Sequence, residues 1–536
     1  MGDTDKSNDE SPATSSAKDK RDREYGMFQD SLVMKHSKEV EGGLQKKIND
    51  FSNEKRYRDI FDFIIKYRPG TPVRPCQNMR GSYNAIFHLE YTDGAAVLRV
   101  PLPGQTAFAD EKIRVEVATL RYIEKMTSIP VPHVYHWGTA AENPLGLGPF
   151  IIMDYIAHDN NLEHFLRDHS DEDSNIDPTI PRDKLKHLYR QAASIVLQLS
   201  QLEMPKIGSL QQHGDDFVVG SRPLTQDMND LIVQGGIPPS VLPPENKTYS
   251  TSAAWYAALA DMHVAHLTFQ HNDAIESADD CRDKFVARHL FRQLVRQGKL
   301  PPSGSNEKTT RDKKKRPPKR QEKETFRLWI DDLRPHNILV DADLNIVGVI
   351  DWEWAYFAPR SLARDPPWWL LIGRPEYWRG TVLEFRDEYA RALDVFLDAL
   401  RAEEDLALEQ QRKKEEEEEE EGWSIDQHIE ALSLDAVRLS DRMRRNWDSG
   451  AFWANYAARK CYGFEPVFWE FLDERLFGKN EEGGYEGRMN LLSEKVKRRM
   501  ELFVERKVEE SKEEKIVDWD PEEARSYLAE ILADLD

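Results

Sequence analysis

Residues 328–356 read LWIDDLRPHNILVDADLNIVGVIDWEWAY, where six acidic side chains, Asp331, Asp332, Asp341, Asp343, Asp351 and Glu353, surround two short apolar runs. Ile338, Leu339 and Val340 form one β-prone run and Ile346 to Ile350 a second, while Asp341, Asp343 and Asn345 between them supply turn chemistry. The pattern predicts an antiparallel hairpin. In such a pair the residue entering the first strand lies beside the residue leaving the second, with Cα atoms about 4.5 to 5.5 Å apart. Asn337 and Asp351 hold those two positions. An amide oxygen beside a carboxylate makes a hard, oxygen-only site suited to Mg²⁺, which keeps its other positions for water and substrate phosphates. Asp332, in the loop that feeds the hairpin, is then the carboxylate placed to take a proton from a hydroxyl. Asp and Asn at strand ends are also ordinary turn formers and caps, so the hairpin needs a wider frame before it carries chemistry.

Bulk composition sets that frame. A chain of 536 residues exceeds one ordinary domain, and 13 Trp, 22 Phe and 18 Tyr suffice for a large core. A net charge of −22 makes a poor nucleic-acid binder, and much of the charge lies in tails and runs. Cys76, Cys281 and Cys461 are odd in number and far apart, which argues against a disulfide framework or a zinc site and for a reducing compartment. No stretch approaches the roughly 18 apolar residues of a membrane span, and the opening MGDTDKSNDE has no apolar signal core. A cytoplasmic protein without nucleic-acid or membrane partners is expected.

Along the chain, residues 1–24 are polar and lack apolar periodicity, as in a disordered tail. Residues 51–156 carry strand patterns. NAIFHLEY alternates Ala85, Phe87, Leu89 and Tyr91 on one face, Thr92-Asp93-Gly94 turns, and AAVLRV returns. A helix follows with Ile113, Glu116, Val117 and Leu120 on one side, and GPFIIMDYI is a buried strand running into a connector at Met153 to Ile156. Residues 157–475 become mainly helical from about Leu185, without internal repeats. Residues 301–325 interrupt them as a basic, Pro- and Gly-containing insertion expected to be disordered, and the run Glu415 to Glu421 reads as a solvated loop or helix extension. Residues 476–536 form a helical extension. Within the insertion, KKKRPPKR at 313–320 is compatible with a nuclear address or with a plain solvated loop.

Asp332-Leu333-Arg334-Pro335-His336-Asn337 matches the D-L-x-x-x-N of the protein kinase catalytic loop, and Asp351 follows where the Mg²⁺-binding aspartate comes. The region resembles the aminoglycoside phosphotransferase (phosphotransferase enzyme) family, and SRPLTQDMNDL and DPPWWLL look like segments of its fungal members. The resemblance implies an α+β, two-lobed protein-kinase-like fold: a small antiparallel β-sheet lobe with one helix, and a larger, mainly helical lobe. It implies ATP-dependent phosphoryl transfer to a hydroxyl of a small molecule, with Asp332 as base and Asn337 and Asp351 as Mg²⁺ ligands. Trp352-Glu353 in place of Phe-Gly speaks against a protein kinase.

For the nucleotide, Gly81, Ser82 and Tyr83 lie between two small-lobe strands, where a tight turn would bring backbone N–H groups to phosphates. Arg99, among Val97, Leu98 and Val100, needs a partner, and Glu116 on the following helix supplies one, a pair that resembles the Lys and Glu of kinases. Met153 and Tyr155, at the connector, complete the expected nucleotide side. Two positions depart from the family: Arg99 stands where Lys is more usual, and Ile330 where His precedes the catalytic aspartate. They motivate the alternative of a catalytically impaired nucleotide-binding or scaffold protein on the same fold. Trp368 and Trp369 are expected in the core.

Overall fold

The alternation of Ala85, Phe87, Leu89 and Tyr91 is realised as the strand Asn84–Tyr91, which pairs antiparallel with Gly94–Pro101. The computed structural model describes residues 27–49, 54–76, 78–81, 83–170, 175–300, 324–378, 381–420 and 437–535. The expected N-terminal tail, nearly all of the basic insertion, and Ser82 lie outside the described residues.

Six antiparallel strands form the small-lobe sheet. Five run in the order Pro72–Pro75, Asn84–Tyr91, Gly94–Pro101, Phe150–Asp154, Val134–Gly138, and Met79–Arg80 also pairs with the second. Alternate strand residues face opposite sides, and both sides are covered. Phe87, Leu98, Val100 and Ile152 cluster with Ile60, Phe63 and Ile64 of the helix Glu54–Tyr67. Val97, Ile151 and Met153 cluster with Ile113, Val117 and Leu120 of the helix Ala109–Met126. The lobe therefore carries a second helix besides the expected one, because the outer sheet face is as apolar as the inner and must also be buried. Arg99 shares the strand face of Val97, which delivers its guanidinium to Glu116.

The large lobe is mainly helical, and its core joins Tyr189, Phe285, Phe396, Trp453 and Phe464 from five separate helices. Trp368 and Trp369 are buried in it, as expected. The helix Val382–Glu420 continues through most of the acidic run. The C-terminal helices are integral: Val496, Met500 and Phe503 of Glu494–Glu510 enter the same core. An N-terminal helix, Ser31–Asn49, is held to this lobe by Asp30, whose carboxylate accepts from Leu32 N, Val33 N and Asn272 N and Nδ2.

Two nested hairpins position the site. The inner one pairs Ile338–Val340 with Ile346–Val349, and its turn is closed by Asp341 Oδ1, which accepts from Asp343 N (3.0 Å) and Asn345 N (2.8 Å). The outer one pairs Phe326–Ile330 with Ala355–Ala358, Ile330 opposite Ala355. Together they bring the loop 331–337 next to the loop 351–354. The register corrects one expectation: Ile350, not Asp351, faces Asn337, its N–H donating to Asn337 O at 2.9 Å. Asp351 lies one residue beyond and turns there with φ 62°, a left-handed conformation that costs a non-glycine residue about 1–3 kcal/mol and is characteristic of functional loops.

Candidate active site

The loop closes on itself through Asn337. Its side chain is 2% exposed and donates from Nδ2 to Asp332 O at 2.9 Å and to Asp332 Oδ2 at 3.1 Å. Arg334 Nε lies 3.0 Å from Asp332 Oδ1. Asp332 is buried, and burial pushes its carboxyl above the usual range; Arg334 opposes that rise and Asp351 adds to it. A carboxylate raised in this way is the better proton acceptor. Its neighbour Asp331 has a different task. Asp331 Oδ1 accepts from Trp329 Nε1 (2.8 Å), Oδ2 accepts from Gln226 N (3.3 Å), and the buried Arg459 stands 3.5 Å away. Those contacts tie the loop to the large lobe. Ile330, at the family's histidine position, is buried in the core.

Across from Asp332 lies a buried charge network. Arg99 pairs with Glu116 and places Nη1 2.9 Å from Asp351 Oδ1. Lys112, one helical turn before Glu116, pairs with Glu353. Neither Lys112 nor Glu353 was expected from the sequence, though a lysine beside Ile113 on the apolar side of an amphipathic helix is a signal that a partner waits there. Three carboxyl groups, Glu116, Asp351 and Glu353, thus meet two cations, Arg99 and Lys112. Burial, with Asp351, pushes Glu353 up to about 8. Among the described residues no three His, Cys, Asp or Glu side chains form a metal cage. The donor set nevertheless suits Mg²⁺, which binds through one or two carboxylates plus phosphates and water: Asn337 spends its amide nitrogen on Asp332 and keeps its oxygen, and Asp351 brings the charge.

Asp332 lines a cavity of about 210 Å³ whose wall also includes Tyr83, Gln226, Asp230, Arg374 and Lys460. Tyr83, expected on the nucleotide side, lines this cavity together with Asp332, and burial and Asp230 push its hydroxyl up. Gln226 and Asp230 come from SRPLTQDMNDL, which the sequence marked as a family segment without assigning roles. Arg374 and Lys460 carried no signal.

The other expected nucleotide residues are distributed as follows. Gly81 N donates to Asn84 O at 2.9 Å, closing a turn after the strand Met79–Arg80. That turn does not require glycine, since an added Cβ would meet only Asn84 O at 3.8 Å; what glycine leaves is uncovered backbone. Met153 is a core residue of the strand Phe150–Asp154, and the Tyr155 ring stacks on His88 with centroids 4.2 Å apart. Both are committed to packing in the structure. All three cysteines are free, and among the described residues no helix is long and apolar enough to cross a membrane.

A sheet-built small lobe over a helical large lobe, with Asp332, Asn337 and Asp351 gathered between them, defines the kinase-like phosphotransferase fold. The chain belongs to the phosphotransferase enzyme family, whose model matches residues 77–402. It is 24% identical over 322 residues to the altered inheritance of mitochondria protein 9, mitochondrial, of Meyerozyma guilliermondii, covering 55% of this chain and 50% of that protein. It is 25% identical over 154 residues to a subtelomeric hrmA-associated cluster protein of Aspergillus fumigatus, covering 26% of this chain and 27% of that protein. The chain thus spans about a quarter to a half of the length of the curated relatives it matches. Among solved structures it is similar to a thermostable mutant of aminoglycoside phosphotransferase APH(4)-Ia in ternary complex with AMP-PNP and hygromycin B, with 15% identity, a TM-score of 0.35, and coverage of 76% of this chain and 97% of that one.

Proposed function

We propose that the chain transfers the γ-phosphoryl group of ATP to a hydroxyl of a small molecule. One observation carries this reading: the buried Asp332 carboxylate is held by Asn337 and Arg334 on the wall of a cavity and lies within electrostatic reach of Asp351. The acceptor hydroxyl oxygen bonds to the γ-phosphorus, the bond from that phosphorus to the bridging oxygen breaks, ADP leaves, and the hydroxyl proton passes to Asp332. Asn337 and Asp351 would hold Mg²⁺, which would supply charge neutralisation at the transferring phosphate. Arg99 is positioned beside Asp351 by Glu116, and Lys112 holds Glu353, so the small-lobe helix fixes the loop that carries Asp351.

The test is ADP release by the purified chain with Mg²⁺-ATP across a panel of hydroxyl metabolites, beside nucleotide-induced thermal shifts with and without Mg²⁺. Acceptor-dependent ADP release is the expected result. One contact favours the alternative of a nucleotide-binding or scaffold protein: Arg99 occupies an oxygen of Asp351. Nucleotide-induced stabilisation without ADP release on any acceptor would support that alternative, and absence of any nucleotide response would remove both.

A further inference from the structure

The cavity beside Asp332 contains two cations that converge on a single neutral oxygen. Lys460, which follows the helix Ala451–Arg459, places Nζ 3.3 Å from Gln226 Oε1, and Arg374 places Nη2 3.2 Å from the same atom. Among the described residues, neither cation has a carboxylate within ion-pair distance. Of the carboxylates that act on them from farther away, Asp227, Asp331, Asp332 and Glu376 are engaged elsewhere, whereas Asp230 lines the same cavity. Glu376 accepts from Tyr456 Oη (2.5 Å), Asp227 from Cys461 N (3.0 Å), and Asp331 from Trp329 and Gln226. Lys460 is buried, and burial together with Arg374 lowers its affinity for a proton. Two like charges brought to one amide oxygen repel each other, and an anion between them removes that repulsion.

The same wall has a second incomplete group. Asp230 Oδ1 is buried and has no hydrogen-bond partner, a cost that a donor on a ligand would relieve. The cavity, about 210 Å³, is small and suits a compound of a few carbons.

We propose that the acceptor is a small polyhydroxy compound carrying a carboxylate or a phosphate, its anionic group bound between Arg374 and Lys460, one hydroxyl donating to Asp230 and another presented to Asp332. This rests on the phosphotransferase reading and narrows it from any hydroxyl compound to an anionic one.

The experiment uses the full chain saturated with Mg²⁺ and AMP-PNP, titrated separately with D-glycerate, glycerol 3-phosphate, glycerol and glucosamine while melting temperature is followed, with ADP release from Mg²⁺-ATP measured on the same four compounds. At least one anionic compound is expected to bind and to be turned over ten-fold or more better than glycerol and glucosamine; the first two arms separate carboxylate from phosphate. Arg374→Gln and Lys460→Gln are each expected to weaken that binding ten-fold or more while keeping the AMP-PNP shift, which shows that the variants are folded. A preference for glycerol or glucosamine, no response to either anion, or an anion response unchanged in both variants would overturn the inference. Loss of the AMP-PNP shift in the unmutated chain would instead sink the phosphotransferase reading itself.

Discussion

Replacing Asp332 with alanine removes a carboxylate that Asn337 and Arg334 hold at the cavity, without emptying any part of the apolar core. Turnover on the true acceptor is expected to fall by about 10²-fold or more, with nucleotide-induced stabilisation retained. Asp331→Ala has the opposite profile. It strips Trp329 Nε1 and Gln226 N of their acceptor and leaves the buried Arg459 without its neighbouring charge, so stability falls by about 3–5 kcal/mol while turnover per folded molecule is kept. Urea denaturation and active-site-normalised rates on both variants check the pair; equal turnover losses with unchanged stability would refute the assignment. Asp351→Asn is expected to weaken Mg²⁺-nucleotide binding more than Asp332→Asn, because one side chain serves the metal and the other the acceptor. Nucleotide titrations with and without Mg²⁺ read the difference. The spacing of these residues was visible in the sequence, since it lies within one hairpin and its feeding loop, and so was the partner of Arg99. Lys112 with Glu353 was not, because nothing in a helix pattern says which remote loop its lysine will meet.

The catalytic hairpin and the small-lobe strands form where the alternation and turn residues place them, whereas the N-terminal helix Ser31–Asn49 depends on contacts made far from it. Its sequence contains Gly42 and Gly43 and has no strong apolar stripe, so isolated helix propensity is weak. Asp30 compensates by capping Leu32 and Val33 and by binding Asn272, and Ser37 Oγ donates to Val233 O at 3.0 Å. Asp30→Ala removes cap and anchor together and is expected to cost about 2 kcal/mol or more in urea denaturation. A loss below about 0.5 kcal/mol would mean that the helix adds little to the lobe. The helix Glu54–Tyr67 shows the same dependence: Ile60, Phe63 and Ile64 have a role only once the sheet face opposite them exists.

Over the whole molecule, burial of titratable groups sets a pH window. Asp365, bonded by Asn446 and Asn455, is pushed up to about 8 by burial. The fold holds its proton where the unfolded chain, with a pKa near 3.8, has lost it, so this contribution is full below that value and is lost as pH rises through about 8. His263 is pushed down to about 3 by burial and Arg288, and its neutral form is the folded form. That contribution is full above about 6.5 and is lost as pH falls towards 3. His266 is lowered for the same reasons and acts in the same direction. Melting temperature is therefore expected to decline on both sides of a maximum, with Asp365→Asn flattening the alkaline limb specifically. An unchanged alkaline limb in that variant would show that Asp365 does not set it.

Local order was legible because local geometry creates it. Turn residues, strand alternation and the interval from Asp332 to Asn337 and on to Asp351 act over a few residues, and they placed the hairpin, the sheet strands and the three polar groups between the lobes. The exact register needed the structure, since the irregularity between Leu339 and Val340 shifts the pairing by one residue. The acceptor cavity was decided by tertiary structure alone. Gln226 meets Arg374 across 148 residues and Lys460 across 234, and no periodicity records distances of that kind. The chain dictates which face of each element is apolar; which charges then converge, and which are left waiting for a ligand, depends on how those elements pack.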